Sequence, residues 1–440
     1  MWTFLTLKKG MDDVMEIYIV QHGDTIESIA NKFGLSIERL ISDNGLINPL
    51  SLVEGQALVI LHPKTTYTVK TGDTLETIAV NNGISLMELF RNNPFLYDRQ
   101  YLYQDEILVI NYNTVKDIQI NGFTNSFISQ AILPRALPYM TFLSIFNYQI
   151  IDTDKPEIKT FGDDINIINM AKQYSTMPLL MISALSITGD INVENVYRSL
   201  LDTNLQDKLI NETFEIIMSK GFMGVNFLIS YISTYNQSLY INLFTKISAL
   251  LRDNGLIFMI TISPDYSTHE NLDYHSISLL VDRIIFLENT WPKQSQPPAP
   301  ISDISLINPF IEVVASKMPP EYISLGIPLV GYDWVVPFTD GSKASLLSLN
   351  SALAIAYEHG AVIRLDEQSQ TPYFEYSRSV GESVENHMVW FIDANSFKAL
   401  NDIVIENNLI GTGIWNIASY NQQLFSMANA TFNIIKFPIE

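Results

Sequence analysis

The chain has 440 residues, 47% apolar and 17% charged, more than one hydrophobic core ordinarily fills, so two or more domains are expected. Its 47 acidic against 26 basic residues give a formal charge of −21, which argues against nucleic acid as a partner, because affinity for a phosphate backbone comes largely from Lys and Arg. Without cysteine there is no disulfide, thiolate metal site or cysteine nucleophile, and His22, His62, His269, His275, His359 and His387 lack a ligand spacing, so no metal and no cofactor are expected.

Residues 1–14 read as a leader or disordered segment, with Met15 an alternative start to Met1, since it directly precedes the first patterned stretch. An apolar patch here comes ahead of the lysines, the wrong order for a signal peptide. No apolar run approaches the ~20 residues that a membrane span needs.

Two long stretches then repeat one pattern, "YIVQHGDTIESIANKFGLSIERLISDNGL" and "YTVKTGDTLETIAVNNGISLMELFRNNPF". In each copy an alternating strand turns at Gly-Asp and enters a helix at Asp/Thr, with Glu27 or Glu76 in its first turn. A second short helix and a closing strand, "GQALVI" or "DEILVI", complete a βααβ unit. A lone Gly-Asp-Thr is merely a turn and a helix cap, but here it recurs in phase within two whole-unit matches. Both copies, over residues 15–62 and 65–112, resemble the LysM module. The resemblance implies binding of N-acetylglucosamine polymers, peptidoglycan or chitin-like. It also implies where: Gly23, Asp24, Thr25 and Ile26 with Ile47 and Asn48 in the first copy, and Gly72, Asp73, Thr74 and Leu75 with Pro94 and Phe95 in the second.

From residue 114 to 440, eight short apolar runs alternate with amphipathic stretches. They are "IQINGF", "MTFLSIFNY", "MPLLMISA", "GVNFLIS", "LIFMITIS", "RIIFLEN", "ISLGIPLV" and "GTGIWNIA". Eight strand-helix units predict an α/β fold, a TIM (β/α)8 barrel with its site at the C-terminal strand ends. Between the last two strands, at about 335–395, a segment rich in β-formers and turns reads as a small α+β insertion. This region resembles a family 18 glycoside hydrolase, of the spore cortex-lytic type that carries two N-terminal LysM modules. The resemblance rests on "TWPKQSQPPAPIS", "LVGYDWVVPF", "AVIRLDEQSQTPYFEY", "HMVWFIDANSF" and "GTGIWNIA".

That family carries D-x-x-D-x-D-x-E on its fourth strand, where a two-residue period turns the last three acids to one side. Its chemistry is substrate-assisted. The terminal Glu protonates the leaving oxygen, the preceding Asp orients the substrate acetamido group, and a Tyr after the sixth strand clamps it. Aligned without gaps on "GVNF", the four acids correspond to Met223, Asn226, Leu228 and Ser230, and the Tyr corresponds to Asn289. None of these can do the work, and general acid catalysis is typically worth about 10²–10⁴-fold. Glu288 and Asp333 are the carboxylates that a relocated mechanism would use, although strand alternation aims Glu288 away from the lost Tyr. Trp415 matches the tryptophan that floors the central subsite, and Trp291, Tyr332, Asp333 and Trp334 sit in motifs that line the cleft. The alternative is that these aromatics are barrel-mouth packing residues; for Trp415 the two readings are equal, and for Trp390 packing is the reading preferred. The expected function is therefore wall-glycan binding by LysM modules joined to an inactive family 18 barrel, in the spore cortex or coat or the cell wall, without a signal peptide. An active peptidoglycan N-acetylglucosaminidase using relocated acids, and a structural coat protein with a protein partner, are the alternatives.

Overall fold

The computed structural model describes residues 14–97, 99, 101–151, 157–183, 202–229, 232–264, 271–288 and 291–439, without the side chains of residues 151, 157, 291 and 292. Most of the leader, residues 1–13, and also Ser230 and Asn289, lie outside the described residues, as does the side chain of Trp291.

Each LysM unit pairs its first and last strands antiparallel, Met15–Ile19 with Ala57–Leu61 and Thr65–Thr68 with Ile107–Asn111. Between them lie helices Ile26–Phe33 and Ile37–Asn44 in the first unit, and Leu75–Asn81 and Leu86–Asn92 in the second. Thr25 and Thr74 are the N-caps, and the residues that close each capping box are Ser28 and Thr77, while Glu27 and Glu76 face solvent. The box forms with a hydroxyl because Ser28 and Thr77 occupy the third helical position, one beyond the acids.

Eight parallel strands close the expected barrel. They are β1 Lys116–Thr124, β2 Phe142–Ile151, β3 Met177–Ser183, β4 Gly224–Ile229, β5 Ile257–Ile262, β6 Arg283–Phe286, β7 Ile323–Pro328 and β8 Gly411–Trp415. Strand β1 pairs with both β2 and β8, so no edge is left in the ring. The interior is stacked in layers. Phe142, Leu179 and Met259 fill the N-terminal end, with Phe437 from the chain terminus packed beneath them. Above them runs a polar belt, and above that an apolar cluster at the C-terminal mouth.

The insertion between β7 and β8 is a five-stranded antiparallel sheet, Gly331–Val336, Ser345–Leu347, Arg364–Asp366, Thr371–Val380 and Ser383–Trp390, backed by the helix Leu349–Glu358. One sheet face joins the barrel core through Tyr332, Trp334 and Trp390. The other packs Phe374, Tyr376 and Val389 against Ala352 and Ala356 of the helix.

The LysM units are docked on the barrel. The last helix, Gln422–Thr431, is buried at every position although half of it is polar. Two of its polar residues reach the LysM units: Gln423 Nε2 donates to Asn44 Oδ1 and to Ala57 O, both at 3.0 Å, and Asn429 Nδ2 donates to Asn92 Oδ1 at 2.7 Å, while Gln422 Nε2 donates to Ser426 within the helix at 2.9 Å. A backbone bond from Ile363 N–H to Glu54 O (2.9 Å) ties the first unit to the insertion. No helix among the described residues is long and apolar enough to cross a membrane.

Candidate functional site

In both LysM units the turn is built alike. Asp24 accepts from the Tyr18 hydroxyl at 2.7 Å and from Gln21 N–H at 2.8 Å; Asp73 accepts from Tyr67 at 2.9 Å and from Lys70 N–H at 2.7 Å. These two bonds, the backbone one first, hold the Asp24 carboxyl below its ordinary range. The carboxylates brace the turn, and the exposed Gly23, Thr25, Gly72 and Thr74 form its outer surface. Ile26 and Leu75 are buried beneath it.

The second wall of the groove differs between the units. Ile47 is 71% exposed and Asn48 is exposed beside it, whereas Pro94 and Phe95 are buried. The Arg99 guanidinium lies 5.2 Å from the Phe95 ring and 4.6 Å from Tyr103, and pairs with Glu106 and, at 3.6 Å, with Glu38 of the first unit. The first groove is thus open where the second is filled from within.

At the barrel mouth, alternation along β4 turns Asn226 and Leu228 inward while Val225 and Ile229 join the outer core. Asn226 is fully buried in a chain of neutral groups. The Thr261 hydroxyl donates to Asn226 Oδ1 (2.9 Å), Asn226 Nδ2 donates to Ser144 Oγ (3.0 Å), and Ser144 donates to Asn121 Oδ1 (2.8 Å). Leu228 packs with Phe123, Phe146, Met181, Ile285, Leu287 and Trp415. The space that Ile285 and Leu287 occupy exists because β7 and β8 carry glycine opposite them: a Cβ on Gly326 would come 2.5 Å from Leu287 Cα, and one on Gly413 would come 2.6 Å from Ile285 Cγ2. Met223 precedes β4 and is half-buried.

Trp415 stacks on Phe146 with centroids 4.8 Å apart and planes 23° from parallel, and Phe123 tilts against it at 5.2 Å. Tyr332 and Trp334, expected along the cleft, are fully buried between the inserted sheet and the barrel, and Trp334 Nε1 donates to Gln296 O at 2.9 Å. Asp333, expected at the mouth, lies on the opposite face of that sheet. There it accepts from the Tyr376 hydroxyl at 2.7 Å and contacts His387 Nδ1 at 2.8 Å. The reason is the two-residue period: neighbours on one strand cannot share a face. Burial, and then the Asp333 acceptor, push the Tyr376 hydroxyl well above its ordinary range. Glu288 follows the outward-facing Ile284 and Phe286 and is paired with Lys293 at 2.8 Å. Phe123, Phe146 and Met181 were not singled out in the sequence; their signal was the inward phase of three separate strands, legible only once the strands are assembled.

Comparison with known proteins agrees with this architecture. Residues 18–61 and 67–111 match the LysM domain, and residues 136–419 match the glycosyl hydrolases family 18. The chain is 30% identical over 436 residues to the cortical fragment-lytic enzyme of Bacillus subtilis, covering 96% of this chain and 99% of that protein. Against the Bacillus anthracis cortical fragment-lytic enzyme the identity is 29% over 440 residues, covering 96% and 100%. The crystal structure of the Bacillus cereus spore cortex-lytic enzyme SleL superposes with a TM-score of 0.78 at 26% identity, over 96% of this chain and 99% of that one. With its barrel, its inserted sheet and its paired N-terminal units, the chain belongs to family 18 of the glycosyl hydrolases and carries two LysM domains.

Proposed function

We propose that the protein binds N-acetylglucosamine-containing wall glycan, peptidoglycan of the spore cortex or cell wall, through its LysM domains, and that its barrel does not cleave that glycan. The observation that carries the second part is Leu228. It stands on the inward face of β4, where the resemblance puts the acetamido-orienting acid, and packs into an apolar cluster with Trp415. Such a surface offers nothing to a developing oxocarbenium or oxazolinium charge, and electrostatic stabilisation of that kind is usually the largest catalytic contribution. Asn226, at the preceding acid position, is held in a neutral hydrogen-bond chain. Relocated catalysis finds little support: Asp333 faces the inserted helix and Glu288 is paired with Lys293. The relatives named as cortical fragment-lytic enzymes support the spore cortex as the place of action. A spore-coat protein partner is a further element of this reading, and co-purification from spores tests it.

The test is incubation of the full chain with intact cortical peptidoglycan from about pH 4 to pH 8, the range of ordinary carboxyl and histidine titration. The protein is expected to sediment with the glycan, with weak salt dependence because neutral sugars leave few charges to screen. No new muropeptides or reducing ends are expected. Turnover that Glu288→Gln or Asp333→Asn abolishes would establish a relocated active site, and complete recovery in the supernatant would defeat the binding reading.

A further inference from the structure

A cavity of about 590 Å³ lies between the first LysM domain and the insertion. One wall is the loop from Leu46 to Gln56, and the other is the inserted helix with its N-cap Ser348. Its apolar surface comes from Ile47, from Leu353 and from Tyr357, whose ring is on a residue 52% exposed. Asn48, Asn350 and Ser351 add amide and hydroxyl groups. Gln56 spends its Oε1 on Val53 N–H at 3.1 Å, and its amide nitrogen has no hydrogen-bond partner among the described residues. Among the described residues the lining holds one charged side chain, Glu358, and no base.

The two walls are fixed relative to each other. Val53 of the loop sits in the insertion's own core, and Ile363 N–H bonds to Glu54 O beside it. A Cβ on Gly55 would come 2.0 Å from Ile363 O, so the backbones touch at that point. The cavity is therefore preformed and needs no domain movement to exist, which lowers the cost of filling it.

We infer that this cavity is a glycan groove built jointly by the first LysM domain and the insertion, in which a neutral β-1,4-linked N-acetylglucosamine chain continues from Ile47 and Asn48 onto Leu353 and Tyr357. The inference rests on the LysM domains binding glycan and adds a second wall to the first of them. Amide and hydroxyl groups beside aliphatic and aromatic surface suit a ligand with apolar ring faces and N-acetyl groups. With one acid and no base, the lining offers a polyanion nothing. The second LysM domain has no such extension, because Pro94 and Phe95 are buried and Arg99 covers Phe95.

The experiment is a titration of the full chain with the N-acetylglucosamine hexamer, followed at the methyl resonances of Ile47, Leu75, Leu353 and Ala354. Ile47, Leu353 and Ala354 are expected to shift on one binding curve. Tyr357→Ala should raise the dissociation constant read at Ile47 about five-fold, the loss of one aromatic contact, and leave the curve at Leu75 unchanged. If Ile47 shifts while Leu353 and Ala354 stay still, or if Tyr357→Ala leaves the Ile47 curve unchanged, the composite groove is overturned and LysM binding stands. Response of Leu353 and Ala354 to a wall stem peptide and not to the hexamer also overturns it, in favour of a peptide. If no methyl in either domain responds, the glycan reading itself falls and the groove falls with it.

Discussion

Asp393 shows how a single buried group couples stability to pH. It caps the helix Ala394–Glu406, accepting from Asn395 N–H at 2.8 Å, and lies beside Asn44 and Gln423 where the first LysM domain meets the barrel. Burial outweighs its backbone hydrogen bonds and pushes the carboxyl up to about 6. The folded state therefore keeps a proton that the unfolded chain releases near pH 4, so this stability is present at low pH and is lost as pH rises through about 6. Asn at this position keeps the capping oxygen without the charge. The stability of Asp393→Asn relative to the parent is expected to rise by about 2 kcal/mol between pH 4 and pH 7, since the unfolded carboxyl is already about half titrated at pH 4. Urea unfolding at several pH values measures it, and a difference that does not vary with pH would show that the carboxyl titrates normally.

The same residue-level reasoning applies to restoring the barrel acids. Leu228→Asp, Ser230→Glu and Asn289→Tyr together, with Asn226→Asp, return the family's groups to their positions on the chain. A carboxylate at 226 can still accept from Thr261, but it no longer donates to Ser144. Turning the Asn121 amide over would let Ser144 donate to that carboxylate instead, because Asn121 Nδ2 has no partner among the described residues. A charge at 228 has no such rescue inside its apolar cluster. The quadruple variant is expected to be destabilised by a few kcal/mol and to release reducing ends weakly at best, since placement matters at about the 0.5 Å level. Robust turnover would show that the cleft accepts charge more readily than its packing indicates.

At the scale of elements, Asn44 and Asn93 act as matched staples between helix and closing strand. Asn44 Nδ2 donates to Leu40 O at 3.0 Å and Val59 O at 2.9 Å, and its Oδ1 accepts from Val59 N–H at 2.6 Å. Asn93 repeats the arrangement with Leu89 O at 2.9 Å and with Val109 O and N–H, both at 2.8 Å. Each carbonyl also takes a bond from outside its own domain, Asn44 from Gln423 at 3.0 Å and Asn93 from Arg39 at 3.1 Å. Asn44→Ala strands several buried donors and acceptors at once. It is expected to cost about 2–4 kcal/mol by chemical denaturation, since unmet buried groups bear their full desolvation penalty. A loss below 1 kcal/mol would mean that water or a shifted Gln423 replaces the staple.

For the whole molecule, each LysM domain keeps a small core of its own and is fastened to the barrel's core by residues of its outer face. Met15, Ala57, Val59, Leu61, Val109 and Tyr112 belong to the same buried cluster as the barrel residues. Excising residues 14–112 uncovers this surface and removes the partners of Gln423 and Asn429 on the helix Gln422–Thr431. The full chain is expected to unfold in one calorimetric transition that includes both LysM domains, while the excised pair melts lower or self-associates. A separate LysM transition in the full chain, at the temperature of the excised pair, would show that the docking contributes no stability.

The local pattern of the sequence determined the elements of this fold. The in-phase Gly-Asp-Thr repeats and eight apolar runs are near-neighbour information, and turn chemistry and strand period act over a few residues. The inward phase of Asn226 and Leu228 was likewise available from the period of β4 alone. What only the tertiary structure decided was which surfaces meet. Gln423 and Asn429 of Gln422–Thr431 resemble solvated polar positions until two distant domains bond to them. Tyr332 and Trp334 are buried against the barrel, and Asp333 faces away from them, because a sheet folded back on the barrel with one face to each side. The cavity between Ile47 and Tyr357 joins segments with no sequence signal in common. Such juxtapositions depend on how complete elements pack, and side-chain chemistry read along a chain carries no distance between elements.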